Sequence, residues 1–380
     1  MKILLFANTD WYLFNFRLAL AKQLRAEGWE VVLVSPPGEY GERLAEQGFR
    51  WVALPFSTRT INPLLGLLLL RKLIALYRLE RPQVVHHFTI KCVIYGSIAA
   101  RWAGQVGRVN AVTGLGHLFT DRGLKASLVR PLVCSLYRLA FGGSRVNTVF
   151  QNSEDFDSFV SWGLLKKENC ELIRGSGVDV TRFTRKGRDD QPVASRDQGV
   201  KILFASRLLS EKGIFELLEA FGKVRSDHPQ CELLIAGDIY SENPSSLTMQ
   251  DLEKMKEVEG VNFLGHVDDM IELLDEVDIV ALPSYREGTP RILIEAAAME
   301  LPIVASDIAG CQGLVQEGIN GLLVPPKRVE PLAEALAKLV ADQDLRQRLG
   351  QEGRKIVLND FDERQVNART IALYHALLAS

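Results

Sequence analysis

Short apolar runs rich in Val and Ile alternate with amphipathic helical stretches along the whole chain, and the alternation is interrupted once. Ile3–Ala7, Val31–Ser35, Trp51–Pro55, Val84–His87, Val109–Thr113 and Val146–Gln151 precede the interruption. Lys201–Ala205, Glu232–Ala236, Val261–Leu264, Ile279–Pro283, Ile303–Ser306 and Leu322–Val324 follow it. Runs apolar along their length fit parallel strands covered on both faces, and strand–helix alternation predicts doubly wound α/β domains. The interruption, residues 184–199, contains only Val193 and Ala194 as apolar residues. It reads as a linker, the competing reading being a surface loop inside one large domain. The expected organisation is a first domain over 1–183, the linker 184–199, a second domain over 200–360, and a final helix within 361–380 that folds back on the first domain. At about 150 residues per domain, a chain of 380 residues agrees with two domains. Two such domains are expected to leave a cleft lined by their strand C-terminal edges.

Composition narrows the function. Hydrophobic residues are 47% and charged residues 24%, which excludes disorder and fibrous classes. A net charge of −2 gives no whole-chain reason to bind nucleic acid. The five cysteines are scattered without a CxxC pair, so neither a disulfide framework nor a zinc ribbon is expected and a cytoplasmic setting fits. The longest apolar stretch, Leu64–Leu70, is far short of the roughly 20 residues a spanning helix needs. Neither GxGxxG nor GxxxxGK[ST] is present, which disfavours nicotinamide, flavin and P-loop sites. Asp155-Phe-Asp157 matches a DxD metal pattern but reads as the acidic first turn of a helix. His86 and His87 are adjacent on a strand and point to opposite faces, so they form no metal pair, though one could face the cleft with Lys91. No resident metal or cofactor is therefore expected.

Charge is segregated. Residues 1–180 hold 22 basic against 14 acidic residues, and within 55–150 the acids are Glu80 and Asp121 against 13 basic residues. Leu64–Leu79 and Gly123–Leu139 interleave these cations with apolar residues, a pattern suited to an anionic lipid surface, the alternative being that the apolar faces are simply core.

The loops after strands in the second half carry the chemistry. Arg207 and Lys212 flank a strand-to-helix loop ending at Gly213, a setting for a diphosphate. After Ile279–Pro283 comes Ser284-Tyr-Arg-Glu287-Gly288-Thr289-Pro290-Arg-Ile-Leu-Ile-Glu295. Thr289 is a plausible N-cap and Pro290 a plausible first helical residue. Glu295 falls among apolar residues, where a carboxylate needs donors. Ribose hydroxyls would supply them; an internal ion pair is the alternative.

Glu287 and Glu295 form an E-x7-E motif, and with it the chain resembles glycosyltransferase family 4, retaining nucleotide-sugar transferases of the GT-B fold: two Rossmann-like doubly wound parallel-sheet domains facing a central cleft. Gly175-Ser-Gly-Val-Asp179, Ala236-Gly-Asp238, Phe263-Leu-Gly-His266, Asp307-Ile-Ala-Gly310 and Gly318-Ile-Asn-Gly321 extend the resemblance over nearly the whole chain. Asn8 to Arg17, Thr89-Ile-Lys91, Val112 to Gly116 and Ser284 to Pro290 make it most similar to bacterial transferases acting on undecaprenyl-diphosphate-linked sugars. The resemblance implies a UDP-sugar donor without a metal, an N-acetylhexosamine (N-acetylgalactosamine foremost) or related hexose as the transferred group, and a polyprenyl-diphosphate-linked sugar acceptor. It implies that Arg207 and Lys212 bind the diphosphate, Glu287 the transferred sugar and Glu295 the ribose. Arg286, Gly288, Thr289 and Pro290 would complete the sugar-nucleotide site, with His266 and Val267 at the uracil. Asn8, Thr9, Arg17, Lys91, Thr113, Gly114 and His117 would serve the acceptor. Two departures stand out: the family histidine just after the strand ending at Thr113 is missing at that place, His117 coming four residues on with an ordinary loop histidine as its alternative reading, and Glu300 occupies a usual glycine position. A UDP-sugar 2-epimerase of the same architecture is the alternative enzyme.

Overall fold

The computed structural model describes residues 1–57, 62–104, 106–114, 124–185, 199–240, 243 and 245–379, without the side chains of 124–129. It divides into two compact units, residues 1–176 with 363–380, and residues 177–362. The boundary falls at Ser176–Gly177, ahead of the expected linker, most of which lies outside the described residues.

The first unit is a seven-stranded parallel sheet in the order β3-β2-β1-β4-β5-β6-β7. In chain order its elements are β1 (Lys2–Phe6), α1 (Asp10–Ala26), β2 (Glu30–Ser35), α2 (Glu39–Glu46), β3 (Arg50–Ala53), α3 (Pro63–Glu80), β4 (Val84–Phe88), α4 (Ile90–Ala103), β5 (Gly107–Val112), α5 (Leu124–Phe141), β6 (Val146–Phe150), α6 (Ser153–Ser161) and β7 (Cys170–Leu172). Side-chain alternation splits β1 between two cores. Ile3 and Leu5 pack with Leu13, Leu20, Leu24 and Tyr374, while Leu4 and Phe6 pack with Leu73, Tyr77, Val93 and Tyr137. Both faces are therefore covered, which is why the strands read as unbroken apolar runs. β7 escaped the sequence reading because its three residues are largely exposed and carry no apolar pattern.

The second unit is a six-stranded parallel sheet, β10-β9-β8-β11-β12-β13. It contains β8 (Lys201–Ala205), α7 (Ile214–Asp227), β9 (Glu232–Ala236), α8 (Met249–Lys256), β10 (Val261–Gly265), α9 (Met270–Glu276), β11 (Ile279–Leu282), α10 (Arg291–Ala298), β12 (Ile303–Ser306), α11 (Ala309–Gln312), β13 (Gly321–Val324), α12 (Val329–Ala341) and α13 (Gln343–Asp360). The last helix, α14 (Glu363–Ala379), belongs to the first unit, where the Tyr374 hydroxyl lies 2.6 Å from His86 Nδ1.

Neither histidine of the His86-His87 pair is available to a ligand or to Lys91: both are at most 2% exposed, on opposite faces of β4. His87 meets Asn110 Oδ1 at 2.8 Å and Tyr77 OH at 3.1 Å, and burial lowers its pKa to about 4. Asp155 lies in the first turn of α6, its backbone N–H donating to the Asn152 cap at 2.8 Å, as the acidic-first-turn reading expects.

Glu300 has φ +56, so its backbone occupies the left-handed region where the family's glycine is strain-free. Its side chain adds only a marginal, half-exposed contact with Arg354 at 4.0 Å. Glu300→Gly is expected to leave stability unchanged or raise it by up to about 1 kcal/mol, strain relief being partly offset by a more flexible unfolded chain. Urea denaturation checks this, and a loss above about 1 kcal/mol contradicts it.

Candidate active site

In each sheet the strand order reverses direction at one point, between β1 and β4 and between β8 and β11. Ligands of doubly wound sheets bind beyond the strand C-termini at such points, and Asn8, Thr9 and Lys91 follow β1 and β4 while Arg207, Lys212 and Glu287 follow β8 and β11.

In the second unit the loop after β8 and the loop after β11 are stitched together. Lys212 Nζ donates to Glu287 Oε1 at 2.5 Å, with both side chains less than 15% exposed. The Tyr285 N–H donates to the Glu211 carbonyl at 2.9 Å, and Ser284 Oγ reaches the same oxygen at 3.4 Å. Gly213 holds φ +73 with the Pro283 carbonyl where a Cβ would stand, so only glycine fits this crossing. Arg207 is exposed, its guanidinium 5.7 Å from the Tyr240 ring centre. At the end of β10, Gly265 accepts from the Gly237 N–H at 2.7 Å, and His266 lies exposed, 3.4 Å from Asp268. The side chain of Val267 packs on the core.

Helix α10 begins one residue later than expected. Pro290, not Thr289, is its N-cap, and no side chain caps it. Glu295 is 9% exposed in the second turn. Its Oε1 accepts from Arg291 Nε at 2.7 Å, the ion pair that the sequence left as an alternative. The i,i+4 spacing of Arg291 and Glu295 was the signal for it. Burial raises the Glu295 pKa and Arg291 pulls it down less strongly. Oε2 has no hydrogen bond among the described residues, so one carboxylate oxygen stays open.

Sequence reasoning passed over Gly310 as anything but a motif glycine. A Cβ there would stand 2.3 Å from the Glu287 carbonyl oxygen and 2.7 Å from that of Gly288. Gly310 thus lets α11 close against the Glu287 backbone. Gly310→Ala must displace that backbone, and if Glu287 serves the reaction kcat is expected to fall by about 10-fold or more, the scale of a small misplacement of a reacting group. Steady-state kinetics with wild-type turnover would refute it. Cys311 beside it is fully buried and its thiol pKa is pushed far up, so it is no nucleophile.

In the first unit Asn8 and Thr9 follow β1, Lys91 follows β4, and Thr113 and Gly114 follow β5, three adjacent strands. Thr9 caps α1, accepting from the Tyr12 N–H at 3.1 Å. Asp10 is buried and accepts from the Tyr40 and Gly41 N–H groups at 2.8 and 2.9 Å, tying this loop to the start of α2. Lys91 donates to the Ser57 carbonyl at 2.5 Å, in a small pocket with Lys72, Leu65, Leu68 and Leu69. Arg17 is not at the loop edge. It is buried, 4.4 Å from the Phe88 ring centre, and donates to Tyr12 OH at 2.8 Å. His117 lies outside the described residues. Among the described residues there is no cluster of His, Cys, Asp and Glu able to hold a metal.

Two sheets of this construction, with a carboxylate pair spaced E-x7-E beyond one of them, define a GT-B glycosyltransferase. A glycosyl transferases group 1 model matches residues 186–356 and a glycosyl transferase 4-like model matches residues 2–153, and the chain belongs to glycosyltransferase family 4. It is 28% identical over 387 residues, covering 100% of this chain and 99% of the relative, to the N,N'-diacetylbacillosaminyl-diphospho-undecaprenol alpha-1,3-N-acetylgalactosaminyltransferase of Campylobacter jejuni. It is 26% identical to the capsular polysaccharide biosynthesis glycosyltransferase CapM of Staphylococcus aureus, covering 93% of this chain and 92% of that one. In fold it matches the crystal structure of Anabaena HepE in complex with UDP-glucose, with TM-score 0.79, 20% identity and full coverage of both chains. The transferase relatives do not favour the epimerase alternative.

Proposed function

We propose that this enzyme transfers an N-acetylhexosamine, N-acetylgalactosamine foremost, or a related hexose from a UDP-sugar to a polyprenyl-diphosphate-linked sugar, with retention at the anomeric carbon, at the cytoplasmic face of the membrane. The observation that carries the donor half is the meeting of Lys212 and Glu287 at the reversal point of the second sheet, with the half-open carboxylate of Glu295 in the helix that follows Glu287. In this reading Arg207 and Lys212 take the diphosphate, Arg286 and the backbone of Gly288, Thr289 and Pro290 frame the sugar against Glu287, and Glu295 Oε2 accepts from a ribose hydroxyl. His266 and Val267 flank the uracil. The anomeric carbon–oxygen bond to UDP breaks while a bond to the acceptor hydroxyl forms, and the acceptor proton passes to the departing phosphate. The name of the Campylobacter relative supports a lipid-linked acceptor, and the UDP-glucose complex of HepE supports a uridine donor. UDP release from a panel of UDP-sugars, with and without a polyprenyl-diphosphate-sugar, tests the assignment; release that ignores the acceptor refutes it.

In the first unit, α3 supports the membrane part of this reading. Gly66, Leu69, Leu70, Leu73 and Tyr77 face the core at helical spacing, while Leu64, Leu65, Leu67, Leu68 and Leu79 are exposed alongside Arg71, Lys72 and Arg78. Exposed leucines among cations suit shallow insertion into anionic lipid. No helix among the described residues is long and apolar enough to cross a membrane. Binding to anionic vesicles is expected to weaken steeply with salt, since the Debye length is about 8 Å at physiological ionic strength, and neutral vesicles should bind poorly. Equal binding to both, or to neither, contradicts electrostatic docking. Asn8, Thr9, Arg17, Lys91, Thr113, Gly114 and His117 serve the acceptor in this proposal, Arg17 from beneath the loops.

A further inference from the structure

Tyr285 sits two residues before Glu287 and is gripped on three sides. Its hydroxyl donates to Glu216 Oε1 of α7 at 2.5 Å. Its backbone N–H donates to the Glu211 carbonyl at 2.9 Å, in the turn that carries Lys212. Lys327, in the segment between β13 and α12, places its ammonium 4.6 Å from the ring centre. Lys327 holds φ +62, the left-handed region that a lysine seldom adopts. The other Glu216 oxygen, Oε2, is buried and has no hydrogen-bond partner among the described residues, so the Tyr285 hydroxyl on Oε1 is the side-chain donor that this carboxylate meets there. A half-buried carboxylate with one oxygen unsatisfied is costly.

We propose that Tyr285 is a positioning residue. Its hydrogen bond to Glu216, with Lys327 on its ring, fixes the 284–287 segment so that the Glu287 carboxylate stays on Lys212. Tyr285 itself does no chemistry; it acts through Glu287. This rests on the role proposed above for Glu287, and deepens it by naming what holds that carboxylate in place. α7 and the β13–α12 connection thereby become part of the donor site's support, though neither contributes a residue to it.

The test has one arm that needs no substrate and one that does. A crystal structure of Tyr285→Phe is expected to show the Glu287 carboxylate moved out of hydrogen-bond reach of Lys212; an unmoved pair overturns the proposal, whatever the reaction is. In turnover, Tyr285→Phe should lower kcat about 10-fold with donor KM within about twofold. Glu216→Gln, which keeps an acceptor for the phenol, should retain most of the activity, whereas Glu216→Ala should match Tyr285→Phe. In a Glu287→Gln background, Tyr285→Phe should cost less than about twofold more, because residues acting as a unit are non-additive. Wild-type kcat in Tyr285→Phe, or the same loss in both backgrounds, overturns it. A wild-type enzyme that releases no UDP would instead overturn the proposed reaction, and the crystallographic arm would still decide the positioning role.

Discussion

Lys212→Ala is expected to lower kcat by roughly 100-fold or more, the scale of removing one preorganised electrostatic donor, with a smaller rise in donor KM. The Lys212 side chain is 11% exposed, fixed by the turn that ends at Gly213, and its ammonium sits on Glu287. A charge so enclosed is weakly screened by water. In the proposed reaction the departure of UDP builds negative charge on the phosphates, greatest in the transition state, so an ammonium serving them acts mainly on kcat. The substitution also leaves Glu287 without its partner, which lowers stability, so kinetics belong well below the variant's melting temperature. If Arg207, Lys212 and the uncapped start of α10 meet the leaving charge, catalysis survives EDTA. Activity abolished by EDTA and restored by magnesium overturns this assignment, as does a Lys212→Ala enzyme of normal kcat.

How far the sequence disclosed this site depended on the kind of signal. The strand C-terminal loops were legible because apolar runs locate the strands and chemistry follows them; Arg207, Lys212, Glu287 and Glu295 were all reached that way. The partners of those residues were not. The union of Lys212 with Glu287 spans 75 positions and depends on β8 and β11 being neighbours, a topological fact that no local pattern states. Tyr285 looked like any aromatic beside a motif, because Glu216 is 69 positions away. Gly310 was visible as a glycine, but only the approach of the Glu287 backbone shows why it must be one. Two local readings also shifted. Thr289 had the chemistry of a cap, yet the chain at Pro290 is still extended at φ −72 and ψ 117, so the helix starts later. Arg17 was named with the acceptor residues through the resemblance carried by Asn8 to Arg17, but it lies on the buried side of α1, against Phe88.

Glu295→Gln is expected to weaken UDP-sugar binding by about 1–3 kcal/mol, the scale of a hydrogen bond to a charged group, while making the free enzyme more stable at neutral pH. Both effects come from one arrangement. Arg291 occupies Oε1 and leaves Oε2 open, so the carboxylate can accept from a hydroxyl without losing its own partner. The glutamine amide can still accept from Arg291, which keeps the local fold, but it offers a ribose hydroxyl no charged acceptor. Stability follows from the direction of the pKa. Burial raises it above the ordinary 4.5 despite Arg291. Between the ordinary and the raised value the folded chain binds more protons than the unfolded one, so wild-type stability falls as pH rises through that window. Glutamine, having no charge to bury, escapes that loss. The melting temperature of Glu295→Gln relative to wild type should therefore rise from acid to neutral pH. Calorimetry over pH 4 to 8 and donor titration at neutral pH check the two halves. Unchanged donor affinity in a folded variant removes the ribose assignment, and a relative stability that instead grows toward acid pH removes the electrostatic account of Glu295.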